Sequence, residues 1–257
     1  MKLVMLIIKW CIYYLLKIFL AAEIGSNWEG SITKAKEIIS QCKGAGADAV
    51  KFQMWRAEDL YPKHKLFKII KKSELTFNKA KILKDFCDSI GIDFFCSVFY
   101  PEAVDFLEKL GVNRYKIASR TCVLKDPLSS ETLNAVNHTK KPTFVSMGMG
   151  GNKKLIEKSL SKNKTIFCYC ISEYPLKIEK INWNLSKNFP GFSDHTLGIT
   201  APIIYSLMMK MKKSNNIFIE KHVKTLHSKS LDASTSIDTN ELAMMNQSLR
   251  KIENLKF

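Results

Sequence analysis

Eight short β-rich runs alternate with helical patterns along most of this chain, and no other feature of the sequence limits the fold as strongly. The strand candidates are residues 19–24, 48–53, 92–97, 114–118, 142–146, 165–170, 191–193 and 217–221. Apolar residues at three- and four-residue spacing predict helices over 31–43, 74–89, 101–110, 126–136, 155–161, 199–212 and 240–253, the last behind a Thr239 cap. Strands feeding helices in this rhythm predict a (β/α)8 TIM barrel over residues 19–257. An open doubly wound sheet is the competitor, but no G-x-G-x-x-G follows the first strand.

A barrel makes a demand that the sequence can meet or fail, because its chemistry sits at the C-terminal ends of the strands. Polar residues fall there in every unit. The first strand runs into Glu23, Ser26 and Asn27, the second carries Lys51 and Gln53, and the third ends at Ser97. Lys116 and Ser119 follow on the fourth, Ser146 on the fifth, Ser172 and Tyr174 after the sixth. The seventh leads to Ser193, Asp194 and His195, and the eighth carries Glu220 and His222.

Alternation turns Lys51 and Lys116 toward the barrel interior, where a lysine requires an anionic partner. That partner is a salt-bridged Glu23 or Glu220, or a phosphate or carboxylate ligand shared with the surrounding serine hydroxyls. Glu23, at a strand end beside lysines, is the best general acid/base candidate. His195 and His222, from neighbouring strands, are spaced to offer two imidazoles to one divalent metal, with Asp194 and Glu220 as further carboxylates; hydrogen-bonded structural histidines are the alternative. Trp28, Trp55 and Phe99 read as lid or wall residues, and His64, His138 and His227 carry no assigned role.

The formal charge of +16 comes almost entirely from lysine, with arginine only at 56, 114, 120 and 250. Nucleic-acid readers rely on arginine forks, so the excess reads as a solvated surface whose field draws in small anions. Seven cysteines is an odd number, and Cys42, Cys87, Cys96, Cys122, Cys168 and Cys170 lie in apolar stretches without framework spacing, which fits reduced thiols and a cytoplasmic compartment. Residues 1–18 form an apolar extension interrupted by lysines. It reads as an extra segment ahead of the domain, with membrane association through residues 1–20 as the alternative.

These residues sit in segments that resemble the N-acetylneuraminate (sialic acid) synthase family. The segments are Ala22-Glu-Ile-Gly-Ser-Asn27, Gly44-Ala-Gly-Ala-Asp-Ala-Val-Lys-Phe-Gln53, Tyr115-Lys-Ile-Ala-Ser119, Lys141-Pro-x-x-x-Ser-x-Gly-Met149, Tyr174-Pro175, Gly191-Phe-Ser-Asp-His-Thr-Leu-Gly198 and Ile219-Glu-Lys-His222, in collinear order. The resemblance implies condensation of phosphoenolpyruvate with an N-acyl hexosamine, N-acetylmannosamine by default, using Mn2+ or else Mg2+ or Co2+ held by His195 and His222. It implies phosphoenolpyruvate contacts at Lys51, Ser97, Lys116, Ser119, Ser146, Ser172 and Ser193, an acidic residue at Glu23, and sugar contacts at Tyr174 and Asp232. Two departures stand out. Where relatives read Lys-Ile-x-Ser-Gly-Glu, this chain has Arg120-Thr121, which opens legionaminic or pseudaminic acid synthesis as an alternative. The small C-terminal antifreeze-like domain of relatives is not in the sequence, which ends at Phe257, and this bears on homodimer geometry and admits a sugar-binding barrel without turnover.

Overall fold

The computed structural model describes residues 16–226 and 228–256. Its strands are β1 (Lys17–Glu23), β2 (Ala49–Met54), β3 (Asp93–Val98), β4 (Tyr115–Ile117), β5 (Thr143–Ser146), β6 (Thr165–Tyr169), β7 (Gly191–Asp194) and β8 (Asn216–Lys224). They pair in parallel and in sequence order, and β8 returns to pair with β1 along seven residues, so the sheet closes into the expected barrel. A two-residue strand, β9 (Ile237–Asp238), extends the edge beyond β8 at Val223 and Lys224.

The first strand begins two residues earlier than its pattern suggests, and Leu16 is already in the core. Residues 17 and 18 of the apolar extension, and 19 and 20 after it, are therefore barrel strand. Residues 1–15 and His227 lie outside the described residues, and with them most of the membrane alternative. Among the described residues no helix is long and apolar enough to cross a membrane.

Alternation along the strands divides the molecule into two cores. Outward residues such as Ile18, Val50, Phe94, Ile117, Val145 and Ile219 pack under the surrounding helices. Inward residues form a smaller cluster of Ala21, Ala49, Phe95, Phe144, Cys168 and Phe218, with Phe19 against it. Phe144 and Phe218 stack at 3.8 Å between ring centroids, and Phe19 lies 6.2 Å from each. These rings make a hydrophobic floor. The next inward residues up the strands are polar, with Cys170 after β6 the exception.

Helix α1 (Ile32–Gly44) starts at Ser31, whose hydroxyl accepts from Lys34 N. Short helices α2 (Ala57–Leu60) and α3 (Phe67–Lys72) elaborate the loop after β2, ahead of α4 (Phe77–Ile90), which is capped by Thr76 and stops at left-handed Gly91. Then come α5 (Pro101–Lys109), α6 (Ser119–Cys122), α7 (Ser129–Thr139) and α8 (Lys153–Ser159). Between β6 and β7 only a 3₁₀ turn and α9 (Trp183–Ser186) occur, matching the missing helical pattern there. Helix α10 (Thr200–Met211) precedes β8, and α11 (Thr239–Glu253) closes the chain. Its cap is Asp238, not Thr239: the Asp238 carboxylate accepts from Asn240 N and Glu241 N while Glu241 reaches back to Asp238 N.

Candidate active site

Above the aromatic floor, strand registers place charged residues side by side. Glu23 stands opposite Lys51 on β2 and opposite His222 on β8, and Ser193 stands opposite Glu220. Both anticipated counter-ions are present. Lys51 contacts Glu23 directly, donates to Ser97 Oγ at 2.8 Å and lies 3.7 Å from Glu220. Lys116 donates to both Glu220 oxygens at 2.9 and 3.0 Å and to Ser193 Oγ at 3.3 Å, while Ser193 donates to Glu220 at 2.6 Å. All six of these residues are buried.

Burial acts unequally on the two carboxyls. For Glu23 desolvation outweighs the attraction of Lys51, and its pKa rises from 4.5 to about 7. For Glu220 burial pushes the same way, but Lys116 and Lys51 together overcome it and hold the carboxyl well below the usual range. Lys116 is correspondingly raised, since burial alone would lower it and Glu220 reverses that. The chamber thus contains a permanent anion bridging two cations and a second carboxyl that exchanges its proton near neutrality.

His195 and His222 approach with ring centroids 5.5 Å apart. His195 Nδ1 lies 2.7 Å from the Ile171 carbonyl, which leaves Nε2 as its available lone pair. His222 Nδ1 is buried without a hydrogen-bond partner, and burial pushes its pKa down to about 3, so this ring is neutral at physiological pH. Two imidazoles, one of them with an orphaned buried nitrogen, fit a divalent cation. Among the described residues no group of three or more His, Cys, Asp or Glu is arranged around an ion, so the protein would give two ligands and leave other positions to water or substrate. Asp194 is not turned to this role: it pairs with Lys221 on the outer face of the barrel.

A hydroxyl cradle adjoins His195. Gly148 N donates to Ser119 Oγ at 3.0 Å, and a Cβ at Gly148 would meet Ser172 Oγ at 2.8 Å, Cys170 Sγ at 2.9 Å and Ser119 Oγ at 3.0 Å. Only glycine lets these groups converge. Ser146 is buried at the end of β5, and Ser172 is exposed at the rim. Cys170 is an addition to the expected set. Its sulfur lies 3.9 Å from His195 Nδ1 and 3.8 Å from Ser119 Oγ. Burial opposes a charge on either partner, yet their mutual contact lowers the thiol and raises the imidazole. Its two-residue spacing from inward Cys168 was the available signal.

Beside the charged chamber opens a cleft of about 210 Å³ lined by Ser26, Gln53, Trp55, Tyr61, His64 and Asp232, among others. Gln53 donates to Glu23 at 2.7 Å, linking cleft to chamber. Asp232 accepts from Ser26 N and Ser26 Oγ, each at 2.7 Å. Tyr174 stacks over His195 at 4.1 Å, half its surface exposed at the rim. Arg120 donates to Asp126 at 2.7 Å and to Tyr61 Oη at 3.0 Å, tying the loops after β4 and β2 together. Thr121 is buried with its hydroxyl unpaired.

Some expected positions serve other ends. The Asn27 amide donates to Val223 O and Ser236 Oγ at 2.8 Å and accepts from Ser230, so its polar atoms anchor the segment after β8 rather than face a substrate. Trp28 is a core residue, edge-on to Phe52, not a lid. Trp55 and Phe99 do form wall, in one cluster with Ala57 and Ile70. His64, assigned no role from sequence, lines the cleft, whereas His138 bonds the Asn134 carbonyl within its own helix.

A polar chamber of this kind at the C-terminal strand ends of a closed parallel barrel places the chain among the barrel enzymes. Comparison with known proteins narrows the class. Residues 38–256 match the NeuB family, and the chain belongs to it. It is 34% identical over 250 residues to the uncharacterised protein MJ1065 of Methanocaldococcus jannaschii, covering 92% of this chain and 71% of that one. It is 31% identical over 270 residues to the N,N'-diacetyllegionaminic acid synthase of Legionella pneumophila, covering 91% and 72%. The fold superposes on the N-acetylneuraminic acid synthetase of Leptospira borgpetersenii with a TM-score of 0.78 at 27% identity, covering 91% and 83%. The named synthases among the relatives differ in the sugar acid that they make.

Proposed function

We propose that this chain condenses phosphoenolpyruvate with the open-chain aldehyde of an N-acyl hexosamine, releasing phosphate and a chain-extended 2-keto acid. The observation that carries the reading is the pair Lys51 and Lys116, buried above the aromatic floor and ringed by Ser97, Ser193 and the Gly148 hydroxyl cradle. A buried cation pair with several hydroxyl donors suits a small acid phosphate, whose carboxylate and phosphoryl oxygens need that many donors at once.

The lysines hold the enol phosphate with its methylene carbon toward the cleft, where the acceptor lies between Asp232, Gln53 and Tyr174. The C3 carbon attacks the aldehyde, forming the new C–C bond, and the aldehyde oxygen takes a proton. Water adds at C2, losing a proton toward Glu23, whose pKa near 7 suits it to either direction of transfer. The C2–O bond to phosphate then breaks, with Lys51 and Lys116 stabilising the departing charge. His195 and His222 would hold a divalent ion, which would supply Lewis acidity for carbonyl activation.

N-acetylmannosamine is the first acceptor to test. A doubly N-acetylated acceptor is the second reading, favoured by Thr121, whose short buried side chain replaces the carboxylate that the family resemblance expects, and by the Legionella relative. Phosphate release from phosphoenolpyruvate, measured with Mn2+, Mg2+ and Co2+ across N-acyl hexosamines, tests the proposal. His195→Ala and His222→Ala should each abolish release. Unchanged turnover in both variants would refute it.

A further inference from the structure

One buried ion pair is unused by the reaction. Lys221 and Asp194 are both fully buried, on the outer face of the barrel, at positions directly opposite each other in the β7–β8 ladder. Each is the residue immediately before one of the paired histidines. Lys221 Nζ donates to Asp194 Oδ2 at 2.6 Å and also contacts the Thr196 carbonyl. Asp194 Oδ1 accepts from Thr196 N at 2.9 Å, and Oδ2 accepts from Thr196 Oγ1 at 3.0 Å. The His195 carbonyl between them accepts from Leu176 N at 2.9 Å and Thr235 Oγ1 at 2.7 Å.

The His195 carbonyl and both backbone polar groups of Thr196 are therefore held by named partners. From these contacts we infer that Asp194 and Lys221 are positioning residues, a buried clamp that sets the separation of the His195 and His222 rings and thereby the affinity of the site for a divalent cation. The inference rests on the metal reading given above.

The physical argument runs through the strand ends. His195 stands just past the last ladder pair of β7, where the backbone would otherwise be free to splay, while His222 is held in register with Glu23 of β1. An ammonium bonded to a carboxylate and a carbonyl on the neighbouring strand closes that end. Apolar packing alone would fit the same space but would not dictate the turn at residues 194–196, because dispersion has no direction. Groups that orient metal ligands through such contacts typically change metal affinity by about 10- to 100-fold when removed.

The test is Mn2+ binding by the full chain, followed by the EPR signal of free Mn2+, with no substrate present. Lys221→Met leaves Asp194 unpaired, so the double variant Asp194→Asn/Lys221→Met is made alongside it as a neutral replacement that retains an acceptor for Thr196. Both should bind Mn2+ at least about tenfold more weakly than the unmodified protein. In metal-free protein, the 15N shifts of the two imidazoles should change as well. Leu249→Ala, in the core of α11 away from the site, serves as the control: it should lower the unfolding midpoint without moving Mn2+ affinity or the imidazole shifts. A folded double variant with unaltered Mn2+ affinity, while His195→Ala has lost binding, would overturn the clamp and leave the metal reading standing. Retention of Mn2+ binding by both His195→Ala and His222→Ala would overturn the metal reading and the clamp with it.

Discussion

Replacing Glu23 by Gln should make the folded protein gain stability, relative to the unmodified chain, as pH rises. The Glu23 carboxyl is raised from 4.5 to about 7 chiefly because burial strips its water, with Lys51 only partly compensating. Between those two pH values the folded state binds a proton that the unfolded state has lost, so stability is fully present below pH 4.5 and falls away as pH rises through 7. The full fall from this one group is roughly 3 kcal/mol, at about 1.4 kcal/mol for each pH unit. Glutamine cannot ionise and keeps an oxygen for Lys51. Urea titrations of both proteins at pH 4.5, 6 and 8 would isolate the effect, because groups common to the two chains cancel in the difference. The difference should move in favour of Glu23→Gln by roughly 3 kcal/mol across the series, whatever its starting offset. Parallel stability curves, or a difference moving the other way, would show that Lys51 keeps this carboxyl ionised throughout and would remove its role as a proton exchanger near neutrality.

Three further outcomes follow from the geometry. Lys116→Ala should raise the phosphoenolpyruvate KM more than the acceptor KM, and should cost about 3–5 kcal/mol in urea unfolding, because Glu220 loses its main buried counter-charge. Phe144→Ala, which breaks the floor stack, should cost about 3–5 kcal/mol by the same measurement. Asp238→Ala should destabilise by about 1 kcal/mol while Thr239→Ala is close to neutral, and equal effects would contradict the assignment of the α11 cap.

Much of this architecture could be read from the chain because two-residue alternation and strand-to-helix rhythm are local. Lys51, Lys116, Glu220 and His222 announce their inward direction through their neighbours, and their gathering follows once the barrel closes. What escaped depends on contacts between distant segments. Asn27 reads as a strand-end polar residue, and only the return of the chain at Val223, some 196 positions later, shows where its amide is committed. His64 reaches the cleft through two short helices whose patterns are too brief to register. Trp28 was ambiguous for the same reason: a large ring near a strand end is wall or core according to what covers it, here Phe52 and Lys79. The Asp238 cap lost to Thr239 by one residue, a difference that side-chain geometry alone decides.

The stacked rings of Phe144 and Phe218 have a bearing on traffic as well as on packing. They fill the barrel axis beneath Glu220 and the lysines, while Gln53 joins the chamber to the cleft on the opposite, C-terminal side. On the function proposed above, the acid phosphate would take the dead end and the sugar the doorway. In the proposed reaction phosphoenolpyruvate would then enter ahead of the sugar, and phosphate would leave after the extended sugar has vacated the passage.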